Sequence, residues 1–308
     1  MALRTMKKLL ILATTPTLLW AMALAAPGDT LRVLSWNIYM LPKPLITGQF
    51  MRAPKIVETL KRSEYDVLCL QEAFIKKVER RLKSDLEAEY PYFANLPVYK
   101  KPLKAVNSGI VVMSKHPIRF AHGILYDEAT GIDKTGQKGA LLVEIEVNGK
   151  SVQVVSTHLQ SGEYKRSQQI RDRQYAQIYE RLLKPFERPG VPQIVAGDMN
   201  TEQRDSARYK RMLRTLKAKD TNPKSKECSY NGGVCDLVGK SDRHYKEYID
   251  YVLYRANQAL IRPVVGRVKR FMADWSGPTL GRKRDLSDHF AVEAVFVWGE
   301  EDDKTFDE

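Results

Sequence analysis

The chain has 308 residues, a hydrophobic fraction of 43% and a formal charge of +13 at pH 7. This composition supports a packed core and excludes an intrinsically disordered chain. The positive charge favours an anionic partner, such as nucleic acid or a phospholipid surface, without choosing between them, and solubility alone would also account for it.

Residues 1–25 have the pattern of an export signal. A basic start precedes an uncharged apolar stretch, and Ala23-Leu24-Ala25 has the small-x-small pattern that signal peptidase reads. We therefore predict cleavage after Ala25. A membrane anchor is the alternative, but the apolar stretch is short for a spanning helix and contains Pro16. Cleavage would lower the charge from +13 to +10, because three basic and no acidic residues lie in this segment.

Short apolar segments rich in β-branched residues predict strands along the rest of the chain. They are 31–36, 66–70, 109–113, 141–147, 152–156, 193–196, 248–253 and 289–297. Helical patterns cover 54–61, 75–89 and 163–183. Most of the strands are apolar on both faces, so both faces of their sheets should be covered. We predict an α/β fold, a layered sandwich in one domain over 27–298, followed by an acidic, solvated tail over 299–308.

The three cysteines divide into two kinds. Cys69 lies in an apolar strand and is expected to be a buried free thiol. Cys228 and Cys235 bracket a turn-rich loop, which predicts a local disulfide in an exported protein. Free thiols or a metal clip are the alternatives. The clip is disfavoured because no histidine or third cysteine lies at ligand spacing.

Polar side chains collect at the C-terminal ends of the predicted strands. They are Asn37, Glu72, His158, Asp198, Asn200, Asp250, Asp288 and His289. A single residue of this kind is most often a cap or turn residue, but caps do not explain their joint recurrence. Carboxylate and amide oxygens suit Mg²⁺, Ca²⁺ or Mn²⁺, and the sequence has neither HExxH nor GxSxG. We predict metal-assisted attack by water, with His289 as the base and Asp250 as its orienting partner.

The motifs around these residues resemble the endonuclease/exonuclease/phosphatase superfamily, and their order is that of the superfamily. They are Ser35-Trp36-Asn37, Gln71-Glu72, Thr157-His158, Gly197-Asp198-Met199-Asn200, Ile249-Asp250-Tyr251 and Ser287-Asp288-His289. Longer stretches are similar to the bacterial sphingomyelinase C (neutral sphingomyelinase) family. They are Asn37 to Pro42, Glu72-Ala73-Phe74, Ser108 to Ile118, Lys138-Gly139 and His158-Leu159-Gln160. The resemblance implies a four-layer α/β/β/α sandwich of the deoxyribonuclease-like type.

The resemblance also implies a role for each residue. Glu72 would bind Mg²⁺ directly, with Asn37 and Asp288 beside the metal; Mn²⁺ or Co²⁺ could replace it. Among the catalytic residues, His158 would stabilise the phosphoryl charge. Asp198 and Asn200 would bind phosphate, orient water or serve a second metal. His289 would be the base held by Asp250. Neighbouring residues of a regular strand point to opposite faces, so Asp288 and His289 can share one site only from a loop.

The implied reaction is hydrolysis of sphingomyelin to ceramide and phosphocholine by a secreted, monomeric enzyme. Its partner would be a membrane surface that carries sphingomyelin or another choline phospholipid. Phe271 and Trp275 would form the membrane-binding hairpin of that family, unless they are core residues. The main alternative is a secreted nuclease that acts on nucleic acid. A catalytically inactive binding or toxin-like protein and a phosphoinositide phosphatase are further alternatives.

Overall fold

The computed structural model describes residues 30–42, 45, 47–96 and 107–299. The predicted export signal over 1–25, its cleavage site and residues 300–308 of the predicted tail lie outside these residues. Within the described part of the chain, no helix combines the length and apolar character that a membrane span requires.

The described residues form strands and helices in the following order. The strands are β1 (Thr30–Asn37), β2 (Val67–Gln71), β3 (Tyr92–Asn95), β4 (Val111–Ser114), β5 (Ile118–Leu125), β6 (Gly139–Val147), β7 (Lys150–His158), β8 (Gln193–Asp198), β9 (Lys219–Asp220), β10 (Tyr230–Asn231), β11 (Lys246–Glu247), β12 (Asp250–Arg255), β13 (Ile261–Lys269), β14 (Met272–Gly277), β15 (Gly281–Asp285) and β16 (Ala291–Trp298). The α-helices are α1 (Gln49–Lys61), α2 (Lys76–Asp85), α3 (Lys165–Ile178), α4 (Lys184–Phe186) and α5 (Ser206–Leu216). A π-helical segment, Tyr179–Leu183, joins α3 to α4, and 3₁₀ turns cover Gly131–Thr135 and Lys240–Asp242.

Two six-stranded mixed sheets form the centre of the fold. The first has the order β13-β16-β1-β2-β4-β3, and the second has the order β5-β6-β7-β8-β12-β9. In each sheet one central pair is parallel, β1 with β2 and β7 with β8, while the other pairs are antiparallel. The strands β10–β11 and β14–β15 form two separate hairpin-like pairs.

Side chains along each strand point alternately to the two faces of its sheet, and this alternation produces the four layers. In β1, Leu31 and Val33 belong to the core shared by the two sheets, whereas Leu34 and Trp36 pack on the other side with residues of α1 and α2. This follows from the two-residue period of a strand, which sends neighbouring side chains to opposite faces. Helices α3 and α5 cover the outer face of the second sheet. The observed architecture is therefore the predicted α/β/β/α sandwich.

The hairpin β14–β15 exists, but its aromatic residue points inward. Trp275 is only 6% exposed, and its Nε1 donates a hydrogen bond to the carbonyl of Asp285 at 2.9 Å. Its ring also fills the space above Gly48, where an added Cβ would come within 2.3 Å. Phe271 is half-buried, with its ring centroid 4.9 Å from that of Trp36. The expectation of a membrane-binding pair is corrected: Trp275 is a core residue, and Phe271 packs against that core.

The predicted disulfide is also corrected, because Cys228 and Cys235 are free thiols. Cys235 is buried, with its Sγ 3.4 Å from the carbonyl oxygen of Ser287, so it faces the loop before β16. Cys228 is half-buried beside Glu202 and Arg204. The two thiols therefore face different surroundings. Cys69 is a buried free thiol, as expected.

Candidate active site

Asn37 and Glu72 come together because β1 and β2 are parallel neighbours. Asn37 ends β1 opposite Gln71, the last residue of β2, and Glu72 follows at once. Glu72 has a φ of 58°, in the left-handed region, where a non-glycine residue is under strain. Gly109 makes this turn possible, since a Cβ there would lie 3.0 Å from Cα of Glu72.

The second sheet aligns three more of the predicted residues. His158 pairs in register with Asp198 across the parallel pair, and Asp198 pairs with Asp250 across the antiparallel pair. His158 and Asp198 end their strands, as predicted, but Asp250 begins β12. Asp288 and His289 likewise precede β16. Two of the strands thus enter the site with their amino ends, because they run antiparallel to their neighbours.

The loop that carries Asp288 and His289 is tied to the end of β1. Ser287 Oγ donates to the Asn37 carbonyl at 2.6 Å, and Trp36 Nε1 donates to the His289 carbonyl at 3.1 Å. Both residues lie outside the regular strand, so their side chains are free to share one site. Asp288 and His289 therefore meet the expected condition for sharing one site, which is that both lie in a loop and not in a regular strand.

Asp250 holds the ring of His289. Its Oδ2 lies 2.9 Å from Nδ1, and both side chains are buried. Burial lowers the pKa of His289, but the charges of Asp250 and Asp198 and the hydrogen bond to Asp250 outweigh it, so the pKa is raised well above its usual value. Burial raises the pKa of Asp250 to about 6, against the opposing charge of His289. The pair stabilises an imidazolium, which is the state that a general base reaches after accepting a proton.

Asp198 lies at the centre of the predicted set. Its Oδ2 accepts a hydrogen bond from Asn37 Nδ2 at 3.1 Å and lies 3.3 Å from Nε2 of His158 and 3.9 Å from Nε2 of His289. Burial raises the pKa of its carboxyl, but the charges of the two histidines outweigh this effect and lower it. Asn200, at a φ of 48°, donates its side-chain Nδ2 to the carbonyl of Leu159 at 3.1 Å.

Carboxylate and imidazole groups are close enough here to hold a metal ion. Ligand atoms of Asp198, Asp250 and His289 lie within 4.8 Å of one another, which makes them a candidate metal site. A second set of donors lies at Glu72, whose Oε2 is buried without a hydrogen-bond partner. Burial and the neighbouring charge of Asp288 raise the pKa of Glu72 to about 7. An orphaned buried carboxylate beside another carboxylate fits a divalent cation with oxygen ligands.

Lys138 is a site residue to which the sequence assigned no role. Its buried Nζ lies 3.0 Å from Nε2 of His158 and 3.0 Å from Oδ1 of Asp133, and it donates to the Leu159 carbonyl at 2.6 Å. Burial and the charge of Lys138 lower the pKa of His158 to about 4. The motif Lys138-Gly139 was the only available signal, since the lysine reaches His158 through the β6–β7 pairing rather than through sequence proximity.

Five of the predicted residues line one open cavity of 450 Å³: Glu72, His158, Asp198, Asn200 and His289. Of the ten other lining residues, five are apolar: Leu41, Pro42, Leu45, Phe74 and Ile132. The other five are Asp133, Thr135, Gly136, Lys138 and Ser161. Leu45 and Ile132 are 50% and 72% exposed at its rim. The cavity therefore brings the polar residues of the candidate site together with apolar side chains.

The sequence profile of the Endonuclease/Exonuclease/phosphatase family matches residues 34–289. The chain belongs to this family. It is 26% identical to phospholipase C of Staphylococcus aureus, over 89% of this chain and 90% of that protein. It is 27% identical to a sphingomyelinase C of Bacillus cereus, over 87% of this chain and 89% of the relative. The crystal structure of sphingomyelinase C from Streptomyces griseocarneus matches with a TM-score of 0.77 at 27% identity, covering 86% of this chain and 99% of that one.

These similarities agree with the geometry of the site. Family membership and the sphingomyelinase C relatives support a phosphodiesterase-type hydrolase with the deoxyribonuclease-like fold. The sequence resemblance to the bacterial sphingomyelinase C family is thereby confirmed.

Proposed function

We propose that the protein is a secreted, Mg²⁺-dependent phosphodiesterase that hydrolyses sphingomyelin to ceramide and phosphocholine. The observation that carries this proposal is the cavity of 450 Å³, which is lined both by polar residues of the candidate site and by apolar side chains. A phosphodiester that carries hydrocarbon chains needs both environments, because burying apolar surface is favourable while the phosphate requires polar partners. The relatives named sphingomyelinase C support the same substrate.

The donors around Glu72 fit Mg²⁺. Glu72 would be the direct ligand, and Asn37 and Asp288 would lie beside the ion, since carboxylate and amide oxygens are its usual ligands. Mn²⁺ or Co²⁺ would be the substitutes. The chemistry that Mg²⁺ supplies when bound is polarisation of a phosphoryl oxygen. Asn37 also donates a hydrogen bond to Asp198, which belongs to the candidate group of Asp198, Asp250 and His289, and we assign that group to proton transfer and phosphate binding.

The remaining residues move a proton and hold the phosphate. With Nδ1 hydrogen-bonded to Asp250, His289 presents Nε2 to the cavity as the atom that accepts the proton of water. Lys138 lies beside His158 as the positive charge at the phosphate end. Asp198 fixes Asn37 and the two histidines around one carboxylate, and Asn200 adds an amide at the cavity wall.

The proposal is tested by side-by-side assays on vesicles of sphingomyelin, vesicles of phosphatidylcholine and supercoiled DNA. We expect Mg²⁺-dependent release of phosphocholine from sphingomyelin, lost with EDTA and with His289→Ala. Nicking of DNA with intact lipid would refute the substrate and favour the nuclease alternative. No cleavage of any of the three by a folded, Mg²⁺-loaded protein would favour the inactive binding protein.

A further inference from the structure

A second cavity opens from the same catalytic centre and has a different chemistry. It has a volume of 690 Å³ and shares Ser161, Asn200 and His289 with the apolar cavity. Its other walls carry three tyrosines and three carboxylates: Tyr164, Tyr230, Tyr245, Glu163, Asp242 and Glu247. None of these six residues has a part in the mechanism above.

The pairing of β10 with β11 builds one wall of this cavity. Tyr230 and Glu247 are direct partners in the antiparallel register, so their side chains lie on the same face. The ring of Tyr230 also meets the ring of His289, with centroids 5.1 Å apart and planes inclined at 62°. The aromatic wall therefore begins at the general base. Tyr164, which is 83% exposed and directly precedes α3, also lines the cavity.

The charge of this cavity is opposite to that of the chain. The protein has 50 lysines and arginines against 37 acidic residues, yet no lysine or arginine is among the described residues that line the cavity. Glu163 is already paired with Arg171 at 3.1 Å and Arg208 at 2.5 Å. Asp242 and Glu247, in contrast, form no ion pair with any residue that the structure describes.

The electrostatic surroundings of Glu247 show the same excess of negative charge. Burial and the repulsion of Glu202 and Glu163 raise the pKa of its carboxyl, against the attraction of Arg204. A cation placed in the cavity would relieve this repulsion. Tyrosine faces add a second attraction, because the electrostatic field above an aromatic ring favours cations, and weakly hydrated quaternary ammonium groups profit most.

We propose that the cavity walled by Tyr230, Tyr245 and Glu247 binds the quaternary ammonium group of a choline phosphodiester. The inference rests on the proposed function and extends it: the two cavities meet at the reacting phosphate, so one holds the apolar chains and the other the cationic headgroup. Water attacks phosphorus and gives a proton to His289, the bond between phosphorus and the oxygen of the apolar alcohol breaks, and that oxygen takes up a proton from solvent as the alcohol leaves. The phosphate keeps its choline. Selectivity for choline then comes from groups that never contact the phosphate.

The test compares two soluble esters that differ only in charge. One is p-nitrophenyl phosphocholine, and the other is its neutral isostere, 3,3-dimethylbutyl p-nitrophenyl phosphate. We expect kcat/KM to be about tenfold higher for the choline ester, a ratio in the range that cation–aromatic and carboxylate contacts provide. Glu247→Gln and Tyr245→Leu should bring the ratio close to one, whereas Tyr245→Phe should keep it, because the aromatic face remains.

Matched controls come from the surface away from the site. Glu58→Gln removes an exposed carboxylate of α1, and Tyr92→Leu removes an exposed ring of β3; both should keep the full preference. Equal kcat/KM for the two esters in the unmodified protein would overturn the inference. So would an undiminished preference in both Glu247→Gln and Tyr245→Leu.

A failure of the proposed function looks different. If neither ester nor sphingomyelin is cleaved, calorimetric titration with choline and with 3,3-dimethylbutanol tests the cavity alone. Binding of choline only, weakened by Glu247→Gln, would retain the inference without the activity. No binding of choline would remove both.

Discussion

Replacement of Asp250 by asparagine tests how His289, the proposed general base, is held. Asp250 Oδ2 lies 2.9 Å from His289 Nδ1, and both side chains are buried. Asparagine has nearly the same volume, and its amide oxygen can still accept the hydrogen bond from Nδ1. The substitution therefore removes the negative charge beside the imidazolium while it leaves the packing in place.

The separation sets the size of the effect. Two unit charges 2.9 Å apart attract each other by ~6 kcal/mol at an effective dielectric constant of about 20. Asp198, whose Oδ2 lies 3.9 Å from Nε2 of His289, keeps part of this stabilisation in the variant. We therefore expect a loss of about 3–6 kcal/mol of transition-state stabilisation, which lowers kcat roughly 10²- to 10⁴-fold.

The assay is the initial rate of phosphocholine release at saturating Mg²⁺, with thermal unfolding measured on the same samples. Asp220→Asn is the matched control. Asp220 is a buried carboxylate on β9 that accepts hydrogen bonds from Gln203 at 3.0 Å and Tyr209 at 2.8 Å, outside the candidate site. Its replacement should lower the unfolding temperature and leave kcat of the folded enzyme within about twofold. The reasoning is refuted if Asp250→Asn keeps kcat within about threefold of the unmodified enzyme.

Two further predictions concern the metal and the hairpin. Glu72→Gln removes the charged ligand. In a titration of rate against Mg²⁺, the concentration for half-maximal activity should therefore rise about 10- to 100-fold. Full activity at low Mg²⁺ would contradict the assignment of Glu72 as a ligand. Trp275→Ala should lower the free energy of unfolding in urea by about 3–5 kcal/mol, because it empties a packed site against Gly48. Unchanged stability together with lost vesicle binding would restore the membrane interpretation of Trp275.

The sequence predicted the central strands better than the edges. Each predicted strand overlaps an observed one, because continuous apolar runs are what strands covered on both faces require. Eight observed strands were not predicted: β3, β5, β9, β10, β11, β13, β14 and β15. Two of the longest, β5 and β13, lie at sheet edges and carry charged side chains. In β13, Pro263 and Gly266 also argue against a strand, and the register shifts just after the proline. Helix α5 was missed although Tyr209, Met212 and Leu216 mark one buried face at helical spacing.

For the candidate site, the sequence indicated a set of side chains that the structure places near one another, but not the residues that contact them. Short motifs identify side chains that a chemical step needs, and all of these lie around one centre. Contacts that depend on distant chain segments carry no local signal. Tyr230 reaches His289 through an isolated bridge between residues far apart in the chain, so no spacing could reveal it. The burial of Trp275 could not be predicted for the same reason, because its ring packs against Gly48, which lies far from it in the sequence.

The charges around the two cavities favour one of the two proposed substrates more clearly than the total charge of the chain does. A formal charge of +13 suits a nuclease, but Lys138 is the only lysine or arginine among the described residues that line either cavity. A polyanion would bring several phosphates to a centre surrounded by carboxylates, with one buried lysine and a metal ion to compensate them. A choline phosphodiester carries one phosphate and one cation. Lys138 in the first cavity can pair with the phosphate, and the carboxylates of the second cavity can pair with the cation. The residues that line the two cavities therefore favour the proposed choline phosphodiester over a polyanion.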